Sequence, residues 1–162
     1  ELHSTDHQLL EEFSERWRKA YVNKSDGYQG VLSHMPPPSR RGVVLIDPPY
    51  EIKNDYEKAV ETVINAYKKF SSGTFIIWYP VVTRSYIETM EAKFKSSNVR
   101  NLLKVEFKLR EDSEEYGMTG TGLFIVNPPW QLKSQLEEIL PFMKDTIGTS
   151  GSDFEATTLI DE

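Results

Sequence analysis

The sequence predicts an α/β domain: a mainly parallel sheet with helices on both faces. Two observations carry this. Short continuous apolar runs at Val43–Ile46, Thr74–Trp78 and Leu123–Val126 read as strands buried on both sides. Between them lie segments whose apolar residues recur at helical spacing, which is the alternation of a parallel sheet with crossover helices. The chain has 162 residues, no internal repeat and no linker long enough to divide it, so residues 1–162 are expected to form one domain.

Each element follows from its own pattern. Asp6 to Trp17 reads as a helix with Leu9, Leu10, Phe13 and Trp17 along one face. Ala20 to Val22 is a short strand candidate, and Asn23 to Gly27 a turn rich in residues that tolerate special backbone angles. Tyr28 to His34 is a short helix, broken by Pro36-Pro37-Pro38. A helix from Asn54 to Phe70 turns Ala59, Val63, Ala66, Tyr67 and Phe70 inward, and Ser71-Ser72-Gly73 ends it. Thr83 to Lys95 and Leu132 to Lys144 are further helices. Leu102 to Leu109 alternates apolar and charged residues, which suggests a strand with one wet face. A polar loop from Arg110 to Gly120 follows it, and Thr157 to Ile160 is a last strand candidate.

Composition narrows the function. Hydrophobic content of 38% and aromatic content of 12% are those of a globular chain. No apolar run approaches the roughly 20 residues that cross a bilayer, and Glu1 to Asp6 lacks the basic start and apolar middle of a secretory signal. With no cysteine, disulfides and thiolate metal sites are excluded. A cytoplasmic location fits. A net charge of −6 argues against a general nucleic-acid coat but not against an enzyme that meets nucleic acid on one face.

The chemistry concentrates in GVVLIDPPYE, Gly42 to Glu51. In a parallel sheet, ligands bind beyond the carboxyl ends of the strands, and Asp47 stands at such an end. Pro48 and Pro49 fix backbone angles and remove two amide donors, leaving carbonyls free to accept. Tyr50 supplies a flat face. An acceptor carboxylate, an acceptor carbonyl and a stacking ring suit a planar group with an exocyclic amine, adenine above all. Such an amine is a poor nucleophile, because its lone pair is delocalised into the ring. Drawing both N–H bonds toward Asp47 and the Pro48 carbonyl aims that lone pair at an electrophile, by positioning and by stabilising developing charge. The base must be unpaired or flipped out to arrive there. The plainer alternative is a strand ending in a proline turn.

The longer runs RRGVVLIDPPYEIKNDYEKAV, GTFIIWYPVVTR and GMTGTGLFIVNPPW resemble the RlmJ family, over nearly the whole chain. The resemblance implies a methyltransferase that uses S-adenosylmethionine to methylate the 6-amino group of an adenine in 23S ribosomal RNA, taken protein-free or early in assembly. It implies a Rossmann-like class I methyltransferase sheet, mostly parallel with an antiparallel last strand. Asp47 matches the catalytic acid, with Pro48 and Tyr50 beside it; Glu1 of Glu1-Leu2-His3 matches an acid that binds the cofactor ribose. Asp26-Gly27 of KSDGYQ matches a pair that contacts the cofactor adenine. The family's catalytic domain starts well before Glu1, so this chain is expected to be its C-terminal portion, without the first strand, the glycine-containing cofactor loop and a small helical insertion. Two other functions stay open: a nucleic-acid-binding protein linked to the use of external DNA, and a DNA adenine methyltransferase.

Asn127-Pro128-Pro129-Trp130 also fits the amine-methylating pattern. If its strand runs against the parallel set, Asn127 leaves the sheet on the face opposite the crevice and is a turn and helix-entry residue, and Trp130 packs. Tyr79, Lys53 and Arg84 are candidates for contact with the nucleic acid, and Arg40 and Arg41 flank the crevice in sequence. The loop from Tyr116 to Gly120 is a connection that could meet substrate. His3 and His7 have a spacing that can ligate metal on a helix, but no third ligand is in sight, and no metal is expected.

Overall fold

The computed structural model describes residues 1–162 except 114 and 116. Among the described residues, five helices and five strands follow in the order α1 (Ser4–Ser14), α2 (Gly27–His34), β1 (Val43–Ile46), α3 (Asn54–Lys69), β2 (Thr74–Val81), α4 (Arg84–Lys95), β3 (Leu102–Lys108), β4 (Gly120–Val126), α5 (Leu132–Ile147) and β5 (Asp153–Ile160). The strands form one sheet in the order β1-β2-β4-β3-β5.

The α/β class holds, but the sheet is mixed rather than mainly parallel. Only β1 and β2 pair in parallel; β2 with β4, β4 with β3, and β3 with β5 all pair antiparallel. Strands β1, β2 and β3 therefore run one way, β4 and β5 the other. The physical reason is that β3 and β4 follow one another with no crossover helix between them, so the chain returns beside its own strand. The crossover helices α3 and α4 keep β1, β2 and β3 aligned.

The main core lies on the face covered by α2, α3 and α4. There Val44 and Ile46 of β1 and Phe75, Ile77 and Tyr79 of β2 meet Ala59, Val60, Val63 and Ala66 of α3 and Ile87, Met90 and Phe94 of α4. Helix α3 presents these small and branched residues along one stripe, each contributing about 1.5–3 kcal/mol where a full aliphatic side chain leaves water. The opposite face is covered by α5 over β3, β4 and β5 and as far as Ile76 of β2, through Leu132, Leu136, Leu140 and Met143. Over β1 it is open: Val43 and Leu45 point outward and are exposed.

Three local readings change. Ala20 to Val22 forms no strand. Helix α1 stops at Ser14, and the apolar stripe Leu9, Leu10, Phe13 and Trp17 is exposed, with no buried residue on the helix. Strand β3 has no wet face: Lys104 and Glu106 are buried. They are tolerated because each meets opposite charge, as buried ions require. Lys104 Nζ lies 2.8 Å from Glu91, 3.3 Å from Glu106 and 2.5 Å from Glu155.

Candidate functional site

Asp47 follows β1 at the carboxyl edge of the parallel pair, and its side chain is exposed. The chain then turns through Pro48 and Pro49 to Tyr50, whose φ is +56°. A tyrosine in the left-handed region costs of order 1–3 kcal/mol and persists only where the surroundings fix it. The Tyr50 hydroxyl donates to the Trp78 carbonyl of β2, and its ring lies 4.5 Å from Tyr56 and 6.1 Å from Trp78. Burial, then the neighbouring Tyr28 and Tyr56 and the Asp47 carboxylate, push the Tyr50 hydroxyl far above the ordinary tyrosine value, so it is a neutral donor. The Asp-Pro-Pro-Tyr loop is thus anchored at its last residue and open at its first.

The Asp26-Gly27 turn lies close by. Asp26 caps α2, with Oδ1 accepting from the Tyr28 amide at 2.8 Å and Oδ2 3.3 Å from Lys58 Nζ. Desolvation opposes its ionisation, but the Tyr28 amide and Lys58 outweigh it and hold the carboxyl below the usual aspartate value. Gly27 opens α2, and a Cβ built there would meet nothing within 4 Å. The space above this backbone is open. Tyr28 then reaches α3, its hydroxyl 3.3 Å from Asp55. Glu1 joins the same group: its amino nitrogen donates to the Asn23 carbonyl at 3.0 Å, and its carboxylate accepts from the His3 amide at 2.6 Å. Glu1, the Asn23–Gly27 turn and the start of α3, directly after the Asp47 loop, are therefore linked side by side.

Other candidates are placed differently. Tyr79 does not face the crevice. It is 0% exposed, donates to Glu106 at 2.8 Å and stacks on Phe124 at 4.8 Å. Its cross-strand partner Gly122 leaves it room; a Cβ there would come within 2.3 Å of the ring. Arg84 is held by two carboxylates, with Nη1 2.9 Å from both oxygens of Glu106 and Nε 2.7 Å from Asp112. A guanidinium so paired is poorly placed for a phosphate. Lys53 is exposed at the start of α3, its ammonium 5.6 Å from the Tyr86 ring centroid. Arg40 and Arg41 precede β1 and so lie at the edge opposite Asp47, not beside the crevice. Tyr116 lies outside the described residues. His3 pairs with Asp6 at 3.4 Å and His7 lies 4.0 Å from Glu11; among the described residues no group of three or more such side chains could hold a metal ion. No helix among the described residues is long and apolar enough to cross a membrane.

Asn127 behaves as its strand direction requires. Its φ is +51°, a conformation Asn tolerates. Its side-chain amide donates to the carbonyls of Ser71 and Gly73, each at 2.8 Å, and its backbone amide to Asn101 at 2.8 Å. It ties the amino end of β2 to the end of β4, on the edge opposite Asp47. Trp130 does not pack as expected; it is exposed.

Sequence reading missed Asp55, Lys58 and Tyr28. A weak signal existed, since Asp55 and Lys58 stand three apart and share a helix face, but their partners come from α2, remote in sequence.

The site thus sets an exposed acid at the end of β1 beside an acid-glycine turn. Residues 1–157 match the family model described as ribosomal RNA large subunit methyltransferase D, RlmJ. The chain belongs to the RlmJ family. It is 39% identical over 152 residues to the ribosomal RNA large subunit methyltransferase J of Escherichia coli, and 40% identical over 152 residues to that of Haemophilus influenzae. Each match covers 94% of this chain and 54% of the relative, so the chain spans about half the length of these relatives. A crystal structure of protein LPL1258 from Legionella pneumophila superposes with a TM-score of 0.89 at 33% identity, over 98% of this chain and 58% of that one.

Proposed function

We propose that the complete protein transfers a methyl group from S-adenosylmethionine to the 6-amino group of an adenine in 23S ribosomal RNA. The observation that supports this best is the exposed Asp47 at the end of β1, followed by an anchored Tyr50, in a chain of the RlmJ family. In this reading the domain is the C-terminal portion of a Rossmann-like catalytic domain and the protein works in the cytoplasm. Its substrate is protein-free or early-assembly ribosomal RNA.

The residues present fit the cofactor. Open space over Gly27 admits a flat base against backbone, and the ionised Asp26 is an acceptor beside it. Glu1, at the same turn, is the acceptor for ribose hydroxyls. When bound, S-adenosylmethionine supplies an electrophilic methyl group. Asp47 and the Pro48 carbonyl accept from the two N–H bonds of the target amine and turn its lone pair outward. Tyr50 offers the ring against which the base stacks, worth roughly 1–3 kcal/mol. Lys53, exposed beside this loop, meets the RNA backbone.

The test incubates the complete protein with cofactor labelled in its methyl group and either deproteinised ribosomal RNA or DNA, then digests to nucleosides. Label in 6-methyladenosine from RNA supports the proposal. Label from DNA alone moves the substrate to DNA; binding without label in either leaves a nucleic-acid-binding protein.

A further inference from the structure

Three residues separate the Asp-Pro-Pro-Tyr loop from helix α3, whose first two turns carry two groups aimed at α2. Lys58 Nζ lies 3.3 Å from Asp26 Oδ2 and 4.4 Å from the centroid of the Tyr28 ring. Asp55 Oδ1 accepts from the Tyr28 hydroxyl at 3.3 Å. Asp26 and Tyr28 are themselves joined by the capping bond. These contacts close a ring: Asp26 to Lys58, along one helical turn to Asp55, across to Tyr28, and back. Both ends of the turn that opens α2 are thus held to the helix that emerges from the Asp47 loop.

The bracket does little for stability. Lys58 and Asp26 are 40% and 36% exposed, and exposed ion pairs contribute little. Its effect is geometric. An unbraced Asp26 would have its capping bond alone to orient the carboxylate, and the turn could shift relative to Asp47 by the fraction of an ångström that matters in positioning.

We propose that Lys58 and Asp55 are positioning residues, which fix the Asp26-Gly27 turn relative to the Asp47 loop so that the cofactor is bound in register with the target amine. This rests on the reading of that turn as the cofactor site. Lys58 acts through Asp26, and Asp55 through Tyr28; neither touches the reacting atoms.

The test uses the complete protein, with S-adenosylhomocysteine titrated calorimetrically and transfer to deproteinised 23S ribosomal RNA followed at varied cofactor. Lys58→Met, which keeps the apolar stem, raises the Kd for S-adenosylhomocysteine and the KM for the methyl donor by about tenfold. The KM for RNA does not move, and kcat at saturating cofactor stays within about twofold. Lys58→Arg recovers most of the affinity, and Tyr28→Phe shifts it in the same direction as Lys58→Met. Combining Lys58→Met with Asp26→Asn binds no more weakly than Asp26→Asn alone, because both remove one unit. If Lys58→Met binds like wild type while Asp26→Asn binds weakly, the inference is wrong and the cofactor reading stands. If Asp26→Asn and Gly27→Leu also bind like wild type, the cofactor reading falls and takes the inference with it. A rise in the KM for RNA with unchanged cofactor affinity also overturns it.

Discussion

Asp47 and Asn127 lie on opposite edges of one sheet, although each follows an apolar strand and precedes two prolines and an aromatic ring. Strand β1 runs with β2, so Asp47 leaves toward the carboxyl end of β2. Strand β4 runs against β2, so Asn127 leaves toward its amino end, where it serves the Ser71 and Gly73 carbonyls. Strand direction, not motif, separates the acid that can meet a ligand from the amide that closes a turn.

Asn127 is therefore a stability residue. Asn127→Ala removes the donor to two carbonyls and places a less tolerant residue at φ +51°. Urea denaturation should show a loss of about 1–3 kcal/mol. A loss under a few tenths would contradict this role.

Tyr50 should separate ring from hydroxyl. Tyr50→Phe removes only the bond to Trp78, costs about 1 kcal/mol of stability, and leaves the KM for RNA within about threefold. Tyr50→Ala removes the stacking face and raises that KM by about 10- to 100-fold. Equal effects of the two variants on KM would place the function in the hydroxyl.

The basic residues divide by their partners. Lys53→Met should lower the salt dependence of RNA binding by about one ion, whereas Arg84→Met should not, because Arg84 already serves Glu106 and Asp112. Glu106→Ala, which leaves the buried Tyr79 hydroxyl without its acceptor and takes one carboxylate from each of Arg84 and Lys104, should cost about 3–5 kcal/mol in denaturant. Filter binding from low to moderate salt reads the first difference.

Asp112 predicts an acid limb of stability. The Arg84 guanidinium, chiefly, holds its carboxyl below the ordinary value. The unfolded chain then binds the proton first, so this contribution is fully present above about pH 3.9 and is lost as pH falls through the lower native value. Asp112→Asn should flatten the fall of stability below that pH and leave the slope near neutrality unchanged.

Much of this was legible in the sequence because it depended on local pattern. The strand runs, the α3 stripe and the turn at Asn23 need only neighbours within a few residues. What was not legible depended on remote partners. Lys104 and Glu106 look like a wet face until Glu91, Glu155 and Arg84 arrive from α4 and β5. Tyr79 carries a signal of its own: strand parity sets it on the face of Phe75 and Ile77, inward. The stripe on α1 was read correctly as apolar, but no pattern within the helix says what covers it.

The most direct test is single-turnover methyl transfer to deproteinised 23S ribosomal RNA by the complete protein carrying Asp47→Ala or Asn127→Ala. The account predicts a rate at least about a thousandfold lower for Asp47→Ala and a rate within about threefold of wild type for Asn127→Ala once both are shown to be folded. Loss of transfer in the Asn127 variant with transfer preserved in the Asp47 variant would contradict it.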